Sequence, residues 1–229
     1  AVLAPEEDGG LGLGLTELCL VSHELGRALI AAPIASAASV ARAVAGHPLA
    51  AEITAGEKIV LPALAEGARA IGDEQPLARL QGDALDGRKT GVPCPADADG
   101  FLVTAGSGDG FVLAFAQAQT VEAAPAMDGT NIGGVGFSGS SAVTIAGEND
   151  ARARLSALLD SLHLSTAAEL LGIAEQAHAI TVDYLKIRQQ FDRPIGSFQA
   201  LQHRAVDSLA AIEMCRSLVY QAARAIDGS

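Results

Sequence analysis

Residues 188–203 read Arg188-Gln189-Gln190-Phe191-Asp192-Arg193-Pro194-Ile195-Gly196-Ser197-Phe198-Gln199-Ala200-Leu201-Gln202-His203. Pro194 and Gly196 interrupt a helical pattern that resumes beyond them, so the segment is a helix end, a short loop and a helix start. Ser197 is the expected N-cap of the second helix. Around the loop stand an arginine, several amides and a phenylalanine. A planar guanidinium grips phosphate in fork geometry, amides read a base edge, and an aromatic ring supplies an apolar wall. That set suits a nucleotide cofactor. Taken alone, it is better described as a capped helical hairpin.

Working outward, Leu155, Leu158, Leu159 and Leu162 lead into a long helical stretch from Thr166 to Arg188. On the other side, Leu201, Ala205, Leu209, Ile212, Cys215 and Val219 mark one helix face, the expected buried stripe. Two antiparallel helices joined by a short loop make half of a four-helix bundle. The stripe on the second helix lacks partners within the chain. We therefore expect either a truncated or incomplete bundle, or an oligomer in which a partner completes it.

Before this helical region the texture differs. Between about Gly56 and Gly147, short apolar runs are separated by Gly, Pro and Asp. They include Ile59-Val60-Leu61, Phe101-Leu102-Val103, Phe111-Val112-Leu113 and Val143-Thr144-Ile145. Such spacing predicts the strands of a small β-domain. Earlier still, Leu18, Val21, Leu25 and Leu29 fall on one helical face. A second helix begins near Ser36 and ends at Gly46-His47-Pro48. The expected divisions are a helical part over 1–55, a β-domain over 56–147 and the first helices of a bundle over 148–229. The fold class is α+β.

Composition excludes several functions. The chain has 229 residues, 49% of them hydrophobic, and a formal net charge of −12 with only 15 Lys and Arg. So acidic a balance disfavours nucleic acid and an anionic membrane surface. The apolar stretch Leu29–Ala41 is interrupted by Pro33 and Ser36, so no membrane span is expected there. Three widely spaced cysteines, Cys19, Cys94 and Cys215, form no CxxC pair and fit a reducing, cytoplasmic setting. The five histidines show no metal-ligand spacing, and no metal is assigned. Gly134-Val135-Gly136-Phe137-Ser138-Gly139 matches GxGxxG, but a strand pattern rather than a helix follows it. It is read as a turn, not a dinucleotide fingerprint.

The sequence resembles the acyl-CoA dehydrogenase family along almost its whole length. The family pattern R-x-x-F-G-x-P-I-x-x-F-Q-x-x-Q-H stands here as RQQFDRPIGSFQALQH. LLGIAEQAHAITVDYLKIR and LAAIEMCRSLVYQAA are similar to the helices on either side of it. PEEDGGLGLGLTELCLVSHELGRAL resembles the glycine-rich entry, and LDGRKTGVPCPADADGFLVTA and MDGTNIGGVGFSGSSAVTIAG resemble strands of the middle domain. The resemblance implies a helical, β, helical architecture with an incomplete bundle. It implies a flavoprotein in which a carboxylate removes the α-proton of an acyl-CoA thioester, the β-hydride passes to FAD, and an electron-transfer flavoprotein takes the electrons. By match, Arg188, Phe191 and Gln199 occupy positions that contact the FAD of a neighbouring subunit, with Gln190 and Gln202 as further candidates.

Departures from the family pattern refine this expectation. Asp192 replaces a glycine, at a position where Asp tolerates left-handed backbone better than most residues. The T-E of A-L-T-E reads Ala65-Glu66, losing a hydroxyl, and W-x-T/S beside the flavin ring reads Gly91-Val92-Pro93. One family position for the catalytic glutamate is Leu162, with His163 in place of the adjacent arginine; the other lies beyond residue 229. No catalytic residue is assigned. The expected protein is a dehydrogenase-like subunit in a homo- or hetero-oligomer, dimer or tetramer, that lends FAD-binding residues to an unlike catalytic partner, as in enzymes acting on sterol side chains. The alternatives are a self-sufficient dehydrogenase with its base past residue 229, and a non-catalytic structural or acyl-CoA-binding subunit.

Overall fold

A computed structural model describes residues 2–67, 71, 76–108 and 110–228. The first half runs α1 (Leu15–Ala28), α2 (Ile34–Ala43), α3 (Pro48–Thr54), β1 (Val60–Ala63), β2 (Arg79–Gln81), β3 (Ala84–Pro93) and β4 (Gly100–Ser107). The second half runs β5 (Gly110–Ala116), β6 (Thr120–Pro125), β7 (Asn131–Ala146), α4 (Glu148–Ile187), β8 (Gln189–Gln190), β9 (Arg193–Pro194) and α5 (Gln199–Asp227). Two compact units interleave along the chain: Ala1–Leu13 with Ala31–Leu162, and Gly14–Ile30 with His163–Ser229. The spatial divisions thus fall elsewhere than at 55/56 and 147/148. Helix α1 leaves the N-terminal block for the helical unit, and residues 148–162 of α4 stay with the sheet unit.

The sheet unit is built on strand order β1-β4-β2-β3-β7-β5, with β6 paired to β7. Because β4 also pairs with β5, the path closes on itself. Alternation along β4 and β5 sends side chains to two cores. Phe101, Val103, Val112 and Ala114 join Leu61, Leu85, Val135 and Phe137 in one. Leu102, Phe111 and Leu113 join Val40, Val44, Leu49, Leu155 and Leu158 in the other. Both strands are therefore buried on each face, which is why they read as continuous apolar runs. The Gly46-His47-Pro48 breaker ends α2 but also starts α3: the His47 ring accepts the Leu49 N–H at 3.2 Å, and proline suits the first helical turn. Residues 134–139 are no turn. They lie inside β7, where Gly133 and Gly136 let β6 come so close that a Cβ would meet the Glu122 carbonyl or the Thr120 hydroxyl.

One polar cluster sits inside this unit. Lys89 on β3 is fully buried; its ammonium donates to Glu66 Oε1 at 2.7 Å and Thr104 Oγ1 at 3.0 Å. The Glu66 carboxylate also accepts the backbone N–H groups of Leu77 at 2.6 Å and Ala78 at 2.9 Å. Thr90 N–H to the Ala65 carbonyl (2.9 Å) and Gly67 N–H to Thr90 Oγ1 (2.8 Å) fasten the same segment to β3.

In the helical unit, α1 buries Leu15, Leu18, Cys19, Ser22, His23 and Gly26. This face is rotated from the expected one: Val21 and Leu29 are exposed, and Leu29 adopts φ +51° at the helix end. A Cβ on Gly26 would run into the Glu169 backbone, and one on Gly172 into the His23 carbonyl, so α1 and α4 meet backbone to backbone. Asp227, at the end of α5, caps α1 from outside it, accepting the N–H groups of Leu15 at 2.7 Å and Thr16 at 2.9 Å. On α5 the buried residues are Ile212, Val219 and Ala223, whereas Leu209 and Cys215, expected inside, are exposed along with Val206, Met214 and Leu218. Among the described residues one helix, Asn149–Ile187, is long and apolar enough by length and composition to cross a membrane. The stretch Leu29–Ala41 is instead broken into a loop and most of α2.

Burial pushes the Glu66 carboxyl up, but hydrogen bonds from Lys89, Ala78 and Leu77 outweigh it and hold the group below its ordinary 4.5. A carboxylate held low contributes stability that is fully present above 4.5 and is lost as pH falls through its folded-state value. Urea unfolding followed from neutral to acidic pH should show this loss, and Glu66→Gln should remove its part of the pH dependence. Removing one partner of a buried pair costs about 3–5 kcal/mol. Glu66→Gln should therefore destabilise by that order at neutral pH, and a change below about 1 kcal/mol would mean the pair is dispensable.

Candidate functional site

Helix α4 ends with the Arg188 N–H on the Tyr184 carbonyl at 2.9 Å, and the chain then forms a minimal hairpin. Gln189 pairs with Pro194 and Gln190 with Arg193, so Phe191 and Asp192 are the two turn residues. Both have positive φ, +54° and +60°, the pattern of a type I′ hairpin turn. Asp192 takes the left-handed conformation expected of it. Phe191 takes it too, at an intrinsic cost of about 1–2 kcal/mol that the surroundings must offset.

Those surroundings are visible. The Ile195 N–H donates to the Arg188 carbonyl at 2.8 Å, closing the base of the hairpin. Ser197 is not the N-cap: its hydroxyl donates to the Pro194 carbonyl at 2.7 Å in a short 3₁₀ turn, and Phe198 stands at the cap position. The Gln202 amide donates to the Gly196 carbonyl at 2.8 Å. Phe198 receives the Arg193 guanidinium over its ring at 4.2 Å and the edge of Phe191 at a centroid distance of 5.9 Å.

The five cofactor candidates thus divide. Arg188, Gln190, Phe191 and Gln199 are exposed, and no side-chain hydrogen bond or ion pair engages them among the described residues. Phe191 is 83% exposed. Gln202 is also exposed, but its amide holds the loop. Sequence gave no signal for this division, since a glutamine that binds a ligand and one that braces a loop look alike; nor did it single out Arg193 and Phe198.

Ala65, Glu66, Gly91 and Pro93 stand where the family resemblance expects contacts to a flavin ring. The Ala65 carbonyl is taken by Thr90, and the Glu66 carboxylate by Lys89, Leu77 and Ala78. Gly91 has φ +61° with open space where a side chain would project, and Pro93 has no N–H. Leu162 packs against the core as an apolar residue, and His163 is exposed.

A second polar group lies in the helical unit, along a groove of about 640 Å³ between α1, α4 and α5. His23 Nε2 is 2.9 Å from Glu175, which also pairs with Arg216 at 2.9 Å, and Arg216 reaches Glu213 at 3.2 Å. Its charges answer one another. Among the described residues no group of three or more His, Cys, Asp or Glu could hold a metal.

A family model described as "Acyl-CoA dehydrogenase, C-terminal domain" matches residues 153–229. The chain is 32% identical over 222 residues to acyl-CoA dehydrogenase IpdE2 of Mycolicibacterium smegmatis, an alignment covering 96% of this chain and 60% of that protein. The chain belongs to the acyl-CoA dehydrogenase family. Among solved structures, the Tcur3481-Tcur3483 steroid ACAD is similar with a TM-score of 0.85 and 32% identity, covering 98% of this chain and 64% of that one. The ChsE4-ChsE5 complex from Mycobacterium tuberculosis is similar with a TM-score of 0.82 and 28% identity, covering 99% and 65%. The chain therefore spans about 60–65% of the length of these relatives. The acyl-CoA dehydrogenase fold expected from the motifs is the fold found.

Of the three thiols, one should react. Burial pushes the Cys19 thiol up to about 11, with Asp227 adding to the shift, and burial also raises Cys94. Cys215 is exposed. Since the thiolate is the reactive form, a maleimide near neutral pH should label Cys215 and spare Cys19 and Cys94 until the protein is unfolded. Peptide mass mapping that finds Cys19 labelled as fast as Cys215 would contradict the packing of α1.

Proposed function

We propose that the chain is part of an acyl-CoA dehydrogenase-type subunit that supports α,β-dehydrogenation of an acyl-CoA thioester and lends cofactor-contacting residues to an unlike partner. The observation that carries this reading is the hairpin, where Arg188, Phe191 and Gln199 are exposed and the Arg188 and Gln199 side chains make no hydrogen bond or ion pair among the described residues. A free guanidinium, a ring and amides match the phosphates and base of FAD. FAD, when bound, supplies the acceptor for hydride. The hairpin fits the phosphate and adenine portion of that cofactor; Ala65, Gly91 and Pro93, which carry neither a hydroxyl nor an aromatic ring, do not fit its ring. A chain with a good outer contact and a poor ring site suits a subunit that completes another's cofactor site.

Both structural relatives support the partner reading, since each is named as a pair of components, and one is named as a steroid ACAD. A bulky steroid-type acyl-CoA is accordingly the proposed substrate class, with an electron-transfer flavoprotein as electron acceptor and the cytoplasm as location.

Two results test the proposal. Charge-assisted hydrogen bonds to phosphate are worth about ten- to a hundredfold in affinity, so Arg188→Ala should weaken FAD retention in the assembled protein by that factor. Unchanged retention with the fold intact would remove Arg188 from the site. In a dye-reduction assay with straight-chain and steroid-CoA thioesters, turnover should appear only when the partner subunit is added. Leu162 offers no proton acceptor, and general-base catalysis contributes typically ~10²–10⁴-fold. Comparable turnover by the chain alone with FAD would overturn the partner requirement.

A further inference from the structure

The hairpin holds two arginines whose roles differ. We propose that Phe198 and Arg193 are positioning residues: their stack fixes Phe191 at the tip and leaves Arg188 as the cation free for phosphate. The inference rests on the flavin reading for its ligand, but its geometry stands without one.

Phe191 and Asp192 form a turn with positive φ at both positions, a conformation that a bare chain leaves readily because neither residue is glycine. The ladder that holds it is only two residue pairs long. What else holds it is the half-buried Phe198 ring. Its face takes the Arg193 guanidinium at 4.2 Å, and Phe191 meets it edge-on, with ring planes at 89°. Arg193 is the ladder partner of Gln190, so the stack braces both strands of the hairpin. Phe198 is itself fixed by its N–H on the Ile195 carbonyl at 3.1 Å, and the following turn by Gln202 on Gly196 at 2.8 Å. A guanidinium over an aromatic face is directed there by the ring's charge distribution, which leaves it poorly placed to grip phosphate in a fork. Arg188 has no such partner among the described residues, and its carbonyl, through the Ile195 N–H, ties its backbone to the loop.

Hydrogen exchange on the ligand-free full chain tests the stack directly. Phe198→Leu and Arg193→Leu should each speed exchange of the amides in residues 189–198 by about tenfold, while the β4 and β5 amides stay protected. Phe198→Tyr keeps the ring and Arg193→Lys keeps a cation, so both should stay near wild type. Unaltered exchange in Phe198→Leu, or equal acceleration in Phe198→Leu and Phe198→Tyr, overturns the proposal. Titration with FAD and with ADP at two salt concentrations separates the arginines. Arg188→Ala should flatten the salt dependence of binding, whereas Arg193→Leu should weaken binding and leave that dependence in place. A flattened dependence in Arg193→Leu would make Arg193 a phosphate ligand and sink the assignment. If the wild-type chain, alone or assembled, binds neither probe, the flavin reading falls, and the exchange measurement alone decides whether the stack positions Phe191.

Discussion

The helical unit depends on how closely two backbones can approach. Gly26 of α1 lies on the backbone of Glu169, and Gly172 of α4 lies on that of His23, with no room for a Cβ at either place. This contact decides which residues of α1 turn inward. A helix pressed this close to another buries small and polar side chains, here Ser22 and His23, and its leucines Leu20 and Leu29 face outward. Polar side chains inside need partners. Glu175 answers His23 and Arg216 answers Glu175, so one close approach draws in a polar side chain from each of three helices.

The sheet unit solves its own version of the same problem. Lys89 and Glu66 are buried together, and the carboxylate takes two backbone N–H groups besides the ammonium. Desolvating two charges is costly, and only a fully hydrogen-bonded arrangement offsets that cost. With its oxygens so engaged, Glu66 is a structural residue, and the segment beside it has little left to offer a ligand. The hairpin presents the reverse: a strained tip braced by the Phe198 ring, with the Arg188 and Gln199 side chains in no hydrogen bond or ion pair among the described residues.

Much of this was legible in the sequence, for identifiable reasons. Pro194 and Gly196 punctuate the hairpin, and doubly buried β4 and β5 appear as unbroken apolar runs. The burial pattern of α1 was not legible, because apolar periodicity cannot register a face made of Ser22, His23 and Gly26. The glycines of β7 misled in a related way: glycine permits a turn and also a close neighbour, and only the β6 pairing tells which. At the hairpin, Arg188 and Phe191 were singled out by the resemblance to the family pattern. The division of labour between Gln202, which braces the loop, and Gln199, which does not, lies in a hydrogen bond to Gly196 that no one-dimensional pattern records.

The cap that Asp227 places on α1 joins residues 212 positions apart. Contacts of such separation carry the full entropy of closing a long loop, and they form late. During synthesis, residues 31–162 of the sheet unit can assemble while α5 is still being made. Helix α1, whose buried face needs α4 and whose first turn needs Asp227, is made before either and completed only once both are present. Until then the face that carries Leu18 and Cys19 stays uncovered, the transient apolar exposure that makes an unfinished chain prone to aggregate.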